Sequence, residues 1–390
     1  MHWRFLASRY LPELISLALV LVAQGASTLW ILRGPAAKAP QWLRRAIGVC
    51  AAASMTLITF ASLLRYYRVA HHFPRWFATW GRGIAITWAL WSVLLVAAFA
   101  VSRMVLRRRP DFSPSRRRFL GLAHTAVFGA PAAVIGYGVF IERFRLRLRE
   151  ETIAIPGLPA DLHGLRIVQL TDIHLSPFLT VEELDRAIDM ANETRAHLGL
   201  VTGDLITTRG DPLDACLVRL ARLRADAGIF GCMGNHEYYA NAEDYATERG
   251  AQLGLRFLRS EAAPLRFGGA ILNLAGVDYQ TFREPYLLGA ERLVRPGAFN
   301  VLLSHNPDVF PVAARQGYDL TIAGHTHGGQ VRVEILRQDL NIARFFTPYV
   351  DGLYQRGSSS IFVSRGIGTI ALPVRLGAPP EVALLRLCRT

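Results

Sequence analysis

The chain has few cysteines, almost no lysine and, over its first 150 residues, few acidic side chains. Only 4 of its 390 residues are cysteine. Because they lack the paired spacing of metal ribbons and lie in apolar surroundings, we interpret them as small packing residues that say little about redox compartment. Lys38 is the one lysine among 44 basic residues, a skew that we attribute to the base composition of the gene.

The charge is divided unevenly between the two parts of the chain. Residues 1–150 hold 21 Lys and Arg against 4 Asp and Glu, whereas residues 151–390 hold 23 against 26. The basic residues of the first part are interleaved with long apolar runs, which nucleic-acid-binding arms lack. We therefore expect no nucleic-acid partner, and the charge indicates a membrane bilayer instead.

Four apolar runs have the length that a helix needs to cross a bilayer, which is roughly 20 residues. Arginine flanks each run, and several also have Trp or Tyr there, as anchoring at the membrane interface requires. The alternative is a set of buried helices in a large soluble domain. The sequence predicts an all-α four-helix transmembrane region over residues 1–142, with these runs: Leu11–Leu32, Ala46–Leu64, Ile84–Ser102 and Phe119–Phe140.

The orientation of this region depends on its arginines, which are frequent on both sides of the predicted helices. The densest cluster runs from Arg103 to Arg118, between the third and fourth runs, and the positive-inside rule places such a cluster in the cytoplasm. Within it, residues 115–120 resemble a twin-arginine export signal, the alternative being an ordinary basic flank. Both interpretations predict a multi-pass protein of the cell membrane whose C-terminal domain is extracytoplasmic.

From about residue 151 the pattern changes to short apolar segments that alternate with polar helical ones, which indicates an α/β layered fold. Thr180–Glu193 is predicted to be a helix that begins with a capping box of Thr180 and Glu183. The alternation of Arg and apolar residues over Arg143–Arg149 predicts a further strand, whose Arg side faces either solvent or lipid headgroups. The buried strands predicted are: Leu165–Leu170, Leu198–Thr202, Gly228–Met233, Ile271–Val277, Asn300–Ser304 and Leu320–Ala323.

Carboxylate, amide and imidazole side chains follow these predicted strands, at the ends where α/β folds bind ligands. Asp172 with His174, and His325 with His327, are two residues apart, so in extended backbone each pair points to one side. A single Asp or His at a strand end usually means a cap or a turn. So many of them together need a cation to offset their repulsion and desolvation. The set suits a pair of divalent ions and comprises: Asp172, His174, Asp204, Asn235, His236, His305, His325 and His327.

These motifs resemble the calcineurin-like metallophosphoesterase superfamily over residues 143–390. Its five-motif signature is matched by Asp172-Ile173-His174, Gly203-Asp204, Gly234-Asn235-His236-Glu237, His305 and Gly324-His325-Thr326-His327. Residues 165–172 and 328–330, together with 366–368 and 379–381, resemble its bacterial membrane-associated YkuE/YaeI-like branch. The resemblance implies a four-layer α/β/β/α sandwich and does not extend to the four-helix region.

Carried over position by position, the resemblance implies two divalent metal ions, for which Mn, Fe and Zn all suit the mixed ligands. Asp172, His174, Asp204 and His327 would hold one ion; Asp204, Asn235, His305 and His325 would hold the other. His236 would stay free of metal and act catalytically beside the phosphate, oriented by a carboxylate such as Asp204 or Asp172. The implied reaction is the hydrolysis of phosphate esters by metal-activated hydroxide.

The substrate is the least determined part of this interpretation. We expect phosphodiesters, and the predicted membrane anchor makes a lipid-linked phosphoester reasonable. One alternative is a pyrophosphatase that acts on a nucleotide-linked lipid such as UDP-diacylglucosamine. The alternative of another class is a membrane sensor or scaffold with a metal-binding platform. Tyr279–Arg295 is predicted to be either a cap that contacts an acyl chain or an ordinary amphipathic surface helix.

Overall fold

The computed structural model describes residues 2–33, 36–64, 72–89, 133–281, 285–335 and 338–390. The chain divides into two compact units, Met1–Gly136 and Tyr137–Thr390. The sequence placed the domain boundary after residue 142.

The first unit is helical wherever it is described. Helix α1 spans His2–Arg33 and helix α2 spans Gln41–Leu63, and the side chains of Gln24 and Ser54 join them through a 3.0 Å hydrogen bond. Residues 75–89 are also helical. Among the described residues, α2 is the one helix long and apolar enough to cross a membrane; the apolar part of α1, Leu17–Arg33, is shorter.

The four predicted membrane helices are therefore supported only in part. The first two runs coincide with α1 and α2. Most of the third and fourth runs lie within 90–132, outside the described residues. The four-helix region, the multi-pass topology and the orientation stay predictions.

The second unit contains two mixed sheets. In chain order, its described strands are: β1 Arg147–Ile155, β2 Arg166–Leu170, β3 Leu198–Thr202, β4 Ile229–Cys232, β5 Leu255–Phe257, β6 Glu261–Phe267, β7 Ala270–Gly276, β8 Phe299–Leu303, β9 Leu320–Ala323, β10 Arg332–Ile335, β11 Gln338–Asn341, β12 Gly352–Arg356, β13 Ser359–Val363 and β14 Glu381–Arg389. One sheet has the order β1-β14-β2-β3-β4-β5 and the other has the order β12-β13-β9-β8-β7-β6. Strands β10 and β11 form a separate hairpin.

The apolar side chains divide the second unit into layers. Its helices are α3 Val181–Glu193, α4 Leu213–Leu220, α5 Asn235–Ala240, α6 Glu243–Gln252 and α7 Phe310–Gln316. Ile167 of β2 and Leu274 of β7 belong to one buried cluster between the two sheets. The next residue of β2, Val168, points the other way and packs with α3 and α4, as the two-residue period of a strand requires. Helix α7 covers the outer face of the second sheet. The order is therefore helix, sheet, sheet, helix.

Most of the elements predicted for this unit are present. All six predicted buried strands occur, with bounds shifted by at most one residue at either end. Helix α3 begins with the predicted capping box, in which Thr180 and Glu183 exchange both hydrogen bonds. These segments were predictable because each is a local apolar run with clear punctuation.

Two segments differ from the prediction. Residues 142–144 form a 3₁₀ turn and the strand begins only at Arg147. The reason lies in distant contacts: Glu142 is buried and accepts a hydrogen bond from the backbone of Gly377, and Arg143 donates to the carbonyl oxygen of Phe178. In the described part of Tyr279–Arg295, the only helical element is the short 3₁₀ turn Ala290–Leu293, so the amphipathic surface helix is not present there, whereas the cap that contacts an acyl chain stays a prediction.

Candidate metal centre

The predicted ligands converge where the C-terminal ends of the two sheets meet. Strands β2, β3 and β4 lead to the first four of them in one sheet, and β8 and β9 lead to the other three in the other sheet. Six of these seven ligands, together with His236, form three overlapping groups, in each of which the ligand atoms lie within 4.8 Å of one another. The groups are Asp172, His174 and His327; His174, Asp204 and His236; and Asp204, His305 and His325.

The backbone at these residues is left-handed rather than extended, contrary to our expectation. The φ angles of Asp172 and His174 are both 49°, and those of His325 and His327 are 77° and 53°. Asp204 has a φ of 55°. Such angles cost roughly 1–3 kcal/mol each for residues other than glycine and occur mainly at functional sites. The side chains still converge, since the ligand atoms of each group lie within 4.8 Å of one another.

The first group is a compact set of imidazoles and carboxylates. The Nε2 atoms of His174 and His327 lie 3.1 Å apart. His327 Nε2 is 3.3 Å from Asp172 Oδ1, and His174 Nε2 is 3.5 Å from Asp204 Oδ2. All four side chains are buried. The donors therefore face one common space.

The third group shares Asp204 with the second group. His305 Nε2 lies 3.1 Å from Asp204 Oδ2, and the His305 and His325 rings are 5.0 Å apart at their centroids. Within the described structure, two buried atoms here lack a well-aligned hydrogen bond: His305 Nε2 and Asn235 Oδ1. A buried polar atom without a partner is costly, and both of these belong to predicted ligands. A bound cation would satisfy them.

Two imidazole rings are held by their other nitrogen. His305 Nδ1 lies 2.7 Å from the carbonyl oxygen of Thr202, and His174 Nδ1 lies 3.1 Å from that of Ile206. A donor bond from Nδ1 to a carbonyl fixes the tautomer and leaves Nε2 as a lone-pair donor. This is the arrangement of metal-binding histidines in proteins, so the residues present fit a divalent ion.

His236 stands at the rim of the centre. Its side chain is 12% exposed, and its Nε2 atom lies 4.0 Å from Asp204 Oδ2. We expected a carboxylate to orient the ring, but Nδ1 contacts the carbonyl oxygen of Thr207. Asp204 instead accepts a 3.0 Å hydrogen bond from the backbone N–H of His236. The ring is therefore positioned by a carbonyl, with Nε2 directed to the centre.

Burial and mutual charge shift the titration of these groups in opposite directions. Burial, with the Asp204 charge adding to it, raises the pKa of Asp172 to about 6. Burial also lowers the pKa of His174 and of His325, each to about 3. For His305 burial acts downward, but the Asp204 and Asp172 carboxylates outweigh it and raise the pKa to about 10. Without a cation, the centre thus keeps a proton on His305 and leaves His174 and His325 neutral.

Two charged residues outside the predicted set support the centre. Glu237 is fully buried, and its carboxylate accepts hydrogen bonds from the backbone N–H groups of Gly234 and of residues 204–206. It thereby fixes the turns that carry Asp204 and Asn235. Glu237 stands inside a recognised motif at the third position of α5, and an acidic residue in the first turn of a helix is a signal that could have identified it.

Arg375 is the second of these residues, and no sequence signal identifies it. It is 0% exposed, and burial lowers its pKa to about 10. Its guanidinium donates to the carbonyl oxygens of His327 and Ala378, each at 3.1 Å, and to that of Arg365 at 3.0 Å. The side chain thus joins the turn of His327 to the loop that follows β13.

Comparisons with known proteins agree with this geometry. The family of calcineurin-like phosphoesterases matches residues 165–329. The chain is similar to the uncharacterized metallophosphoesterase YkuE of Bacillus subtilis, with 30% identity over 282 residues, which are 71% of this chain and 98% of that protein. It is also 30% identical to the phosphodiesterase YaeI of Escherichia coli, over 70% of this chain and 99% of that one. A transmembrane protein with a metallophosphoesterase domain from Bos taurus is 30% identical over 60% of this chain and 56% of its own length.

Proposed function

The chain belongs to the calcineurin-like phosphoesterases and is a metal-dependent phosphoesterase; from this premise we propose that it is a membrane-anchored phosphodiesterase with a dinuclear metal centre. The observation that carries the proposal is the overlap of the ligand groups at Asp204, whose carboxylate lies within reach of histidines on both sides. Asp204 would therefore be the ligand that two adjacent cations share.

We assign seven residues as metal ligands. Asp172, His174, Asp204 and His327 would hold one ion. Asp204, Asn235, His305 and His325 would hold the other. The mixture of imidazole, carboxylate and amide donors suits Mn, Fe or Zn. When bound, such ions draw charge from phosphoryl oxygens and make a water acidic enough to supply a nucleophile at neutral pH.

The remaining residues of the site act on the substrate or hold the metal ligands in place. His236 holds its Nε2 atom at the exposed side of the centre, because Nδ1 is fixed on the Thr207 carbonyl. We propose that this Nε2 atom contacts a phosphoryl oxygen and donates a proton to the leaving alkoxide, a role worth roughly 10²–10⁴-fold in rate. Glu237 and Arg375 act on the ligands rather than on the substrate.

Two further parts of the proposal concern the substrate class and the cellular location of the protein. The phosphodiesterase name of the YaeI relative supports a diester over a monoester. The apolar helix α2 and the transmembrane relative support a membrane location. We propose that the catalytic unit is extracytoplasmic, on the strength of the arginine cluster that the sequence places between the third and fourth apolar runs.

The test uses the full-length protein in detergent with added Mn, assayed on bis-p-nitrophenyl phosphate. We expect Asp204→Ala to lose bound metal and turnover together. We expect His236→Ala to keep the wild-type metal content and to lose turnover by about 10²-fold or more. Metal loss in the His236 variant with metal retention in the Asp204 variant would refute the assignment.

A comparison of substrates separates the remaining functions. A higher kcat/KM on bis-p-nitrophenyl phosphate than on p-nitrophenyl phosphate supports a diesterase. Faster hydrolysis of a UDP-linked lipid than of either ester would favour the pyrophosphatase. Stoichiometric metal without turnover of any of the three would favour a scaffold with a metal-binding platform.

A further inference from the structure

An exposed aromatic pair follows the β10–β11 hairpin. Phe345 and Phe346 are 88% and 80% exposed, and the exposed Arg344 precedes them. They lie in or next to a 3₁₀ turn that follows the β10–β11 hairpin; we name residues 342–346 the aromatic turn. Two adjacent phenylalanines held in water are unfavourable, since burying such a side chain is worth roughly 1.5–3 kcal/mol. The pair therefore indicates a surface that something apolar covers.

The aromatic turn is fixed to the turn that carries His327. The side chain of Asn341 donates to the carbonyl oxygen of Gly328 at 3.0 Å and accepts from the backbone of Ala343 at 3.0 Å. After the turn, the Thr347 hydroxyl bonds to Asp308 at 2.5 Å. Both ends of the aromatic turn are thus anchored, and its first end is joined to the loop that carries His327.

Tyrosines line the rim of the metal centre beside His236. Tyr238 and Tyr239 follow His236 in α5 and are 51% and 55% exposed. The Tyr239 ring lies 6.1 Å from the His236 ring and 6.3 Å from that of Tyr279, which in turn lies 6.1 Å from His325. Tyrosine, with an apolar ring and a polar hydroxyl, is enriched at the headgroup level of membranes.

The chain enters this unit through a second exposed apolar segment. Phe140 is 75% exposed and Phe144 is 44% exposed, and the exposed Arg145 and Arg147 follow them. Aromatic and aliphatic residues interleaved with arginine are the composition of surfaces that lie on anionic lipid.

One loop joins this entry segment to the hairpin of the aromatic turn. The backbone of Gly377 donates to Glu142 at 3.0 Å, and the carbonyl oxygen of Leu376 accepts from Arg332, the first residue of β10, at 2.7 Å. The adjacent Arg375 bonds the carbonyl oxygen of His327. The entry segment, the hairpin and the His327 turn therefore meet at a single loop.

We infer that the aromatic turn inserts into the surface of a lipid bilayer and that the metal centre acts on phosphodiesters that reside in that bilayer. This inference rests on the proposed function and names its substrate class. The occupant is lipid because the exposed residues are aromatic with arginine beside them, and because the same chain carries the apolar helix α2.

Insertion of the aromatic turn into the bilayer is tested by a fluorescence measurement that does not depend on turnover. The full-length protein with Cys50→Ser and Cys388→Ser receives Phe345→Cys, carries a nitrobenzoxadiazole label, and is reconstituted into phosphatidylcholine and phosphatidylglycerol vesicles. We expect doxyl-labelled lipid to quench the label about twofold or more beyond the same label at Tyr245→Cys, because inserted side chains reach roughly 5–10 Å into the bilayer. Equal quenching at the two sites, or a shielded label that lipid does not quench, overturns the inference.

Substrate class is tested by a kinetic comparison. Wild type and a Phe345→Ser, Phe346→Ser variant are assayed on bis-p-nitrophenyl phosphate and on phosphatidyl-p-nitrophenol in phosphatidylcholine vesicles. We expect the double variant to retain the soluble activity and to lose about tenfold or more on the lipid, in line with lost apolar anchoring, and the Phe345→Trp, Phe346→Trp variant to regain it. Val218→Ser on α4 is the matched control, since it is also exposed.

The quenching experiment and the kinetic comparison together distinguish the membrane inference from the proposed phosphodiesterase function. Wild-type turnover of the soluble ester without lipid quenching overturns the inference and leaves the proposed phosphodiesterase in place. Quenching at residue 345 with no turnover of either ester supports the membrane contact and overturns the proposed function. An equal loss on both substrates in the double variant, at unchanged metal content, overturns the lipid assignment.

Discussion

The guanidinium of Arg375 donates a hydrogen bond to the carbonyl oxygen of His327 at 3.1 Å, while its Nη2 atom lies 3.5 Å from Nδ1 of the same histidine. The two residues are 48 positions apart in the chain. Arg375 donates its other hydrogen bonds to backbone carbonyl oxygens of residues 365, 366, 368 and 378. The buried guanidinium of Arg375 therefore stabilises both the turn that carries His327 and the loop beside it.

We predict that Arg375→Ala weakens metal binding as well as folding. Removal of the guanidinium leaves several buried carbonyl oxygens without a donor, at about 1–3 kcal/mol each, and frees the His327 turn. We expect an affinity for Mn that is about 10–100-fold lower, the usual effect of losing a group that orients a ligand. Titration of Mn into the apo protein and thermal unfolding measure the two effects.

Arg386 is exposed in the same unit, so Arg386→Ala serves as the control for the loss of an arginine. A lower melting temperature with wild-type Mn affinity would show that Arg375 serves folding alone.

We predict that Glu237→Gln destabilises the turns at the ends of β3 and β4. The amide keeps the shape but loses the negative charge that accepts bonds from several backbone N–H groups. Charge-assisted hydrogen bonds are worth about 1.5–3 kcal/mol, so we expect a loss of that order in the free energy of unfolding, measured with urea. Glu248→Gln, at an exposed position of α6, should leave it unchanged; equal losses in the two variants would contradict the role of Glu237.

We predict that Gly234→Ala disrupts the centre by direct contact. A Cβ atom at residue 234 would lie 2.1 Å from Asp204 Oδ1 and 2.5 Å from its backbone nitrogen. Because Gly234 has a φ of −100°, the backbone itself admits alanine, so the cause is steric. We expect metal content below half of the wild-type value and turnover reduced in proportion or more, measured by elemental analysis and by hydrolysis of bis-p-nitrophenyl phosphate.

The matched control is Gly269→Ala. There the nearest described atom would be a side-chain oxygen of Asp161 at 3.3 Å, which can move. Normal metal content in the Gly234 variant would mean that Asp204 shifts without leaving its ligand position.

We predict that removal of metal lowers both activity and stability, reversibly. A bound cation would offset the repulsion and desolvation of the buried carboxylates and would satisfy His305 Nε2 and Asn235 Oδ1. A ligand present at 100 times its Kd stabilises the folded state by about 2.7 kcal/mol, so chelation followed by Mn should lower and then restore the melting temperature. A chelated protein that keeps full turnover would contradict a metal-dependent reaction.

Much of the fold was predictable because its signals are local. The apolar runs that became β2, β3 and β9 are bounded by polar or glycine residues, and the capping box of α3 needs only Thr180 and Glu183. The prediction for Arg143–Arg149 was wrong in part because its signal is not local. The pattern favours a strand, but Glu142 and Arg143 contact residues far along the chain, and these contacts stabilise a turn. Tertiary contacts of this kind override local propensity.

Which side chains meet could be predicted from the chain alone, because their residue types and their places after predicted strands are local properties. How they are held depends on the fold: the left-handed backbone at Asp172 and His174, the carbonyl that orients His236, and the buried Arg375 behind His327. The exposure of Phe345 and Phe346 also depends on the fold, since no pattern distinguishes them from core residues. Burial, strain and hydrogen-bond partners all depend on residues distant in the chain, which no local pattern contains.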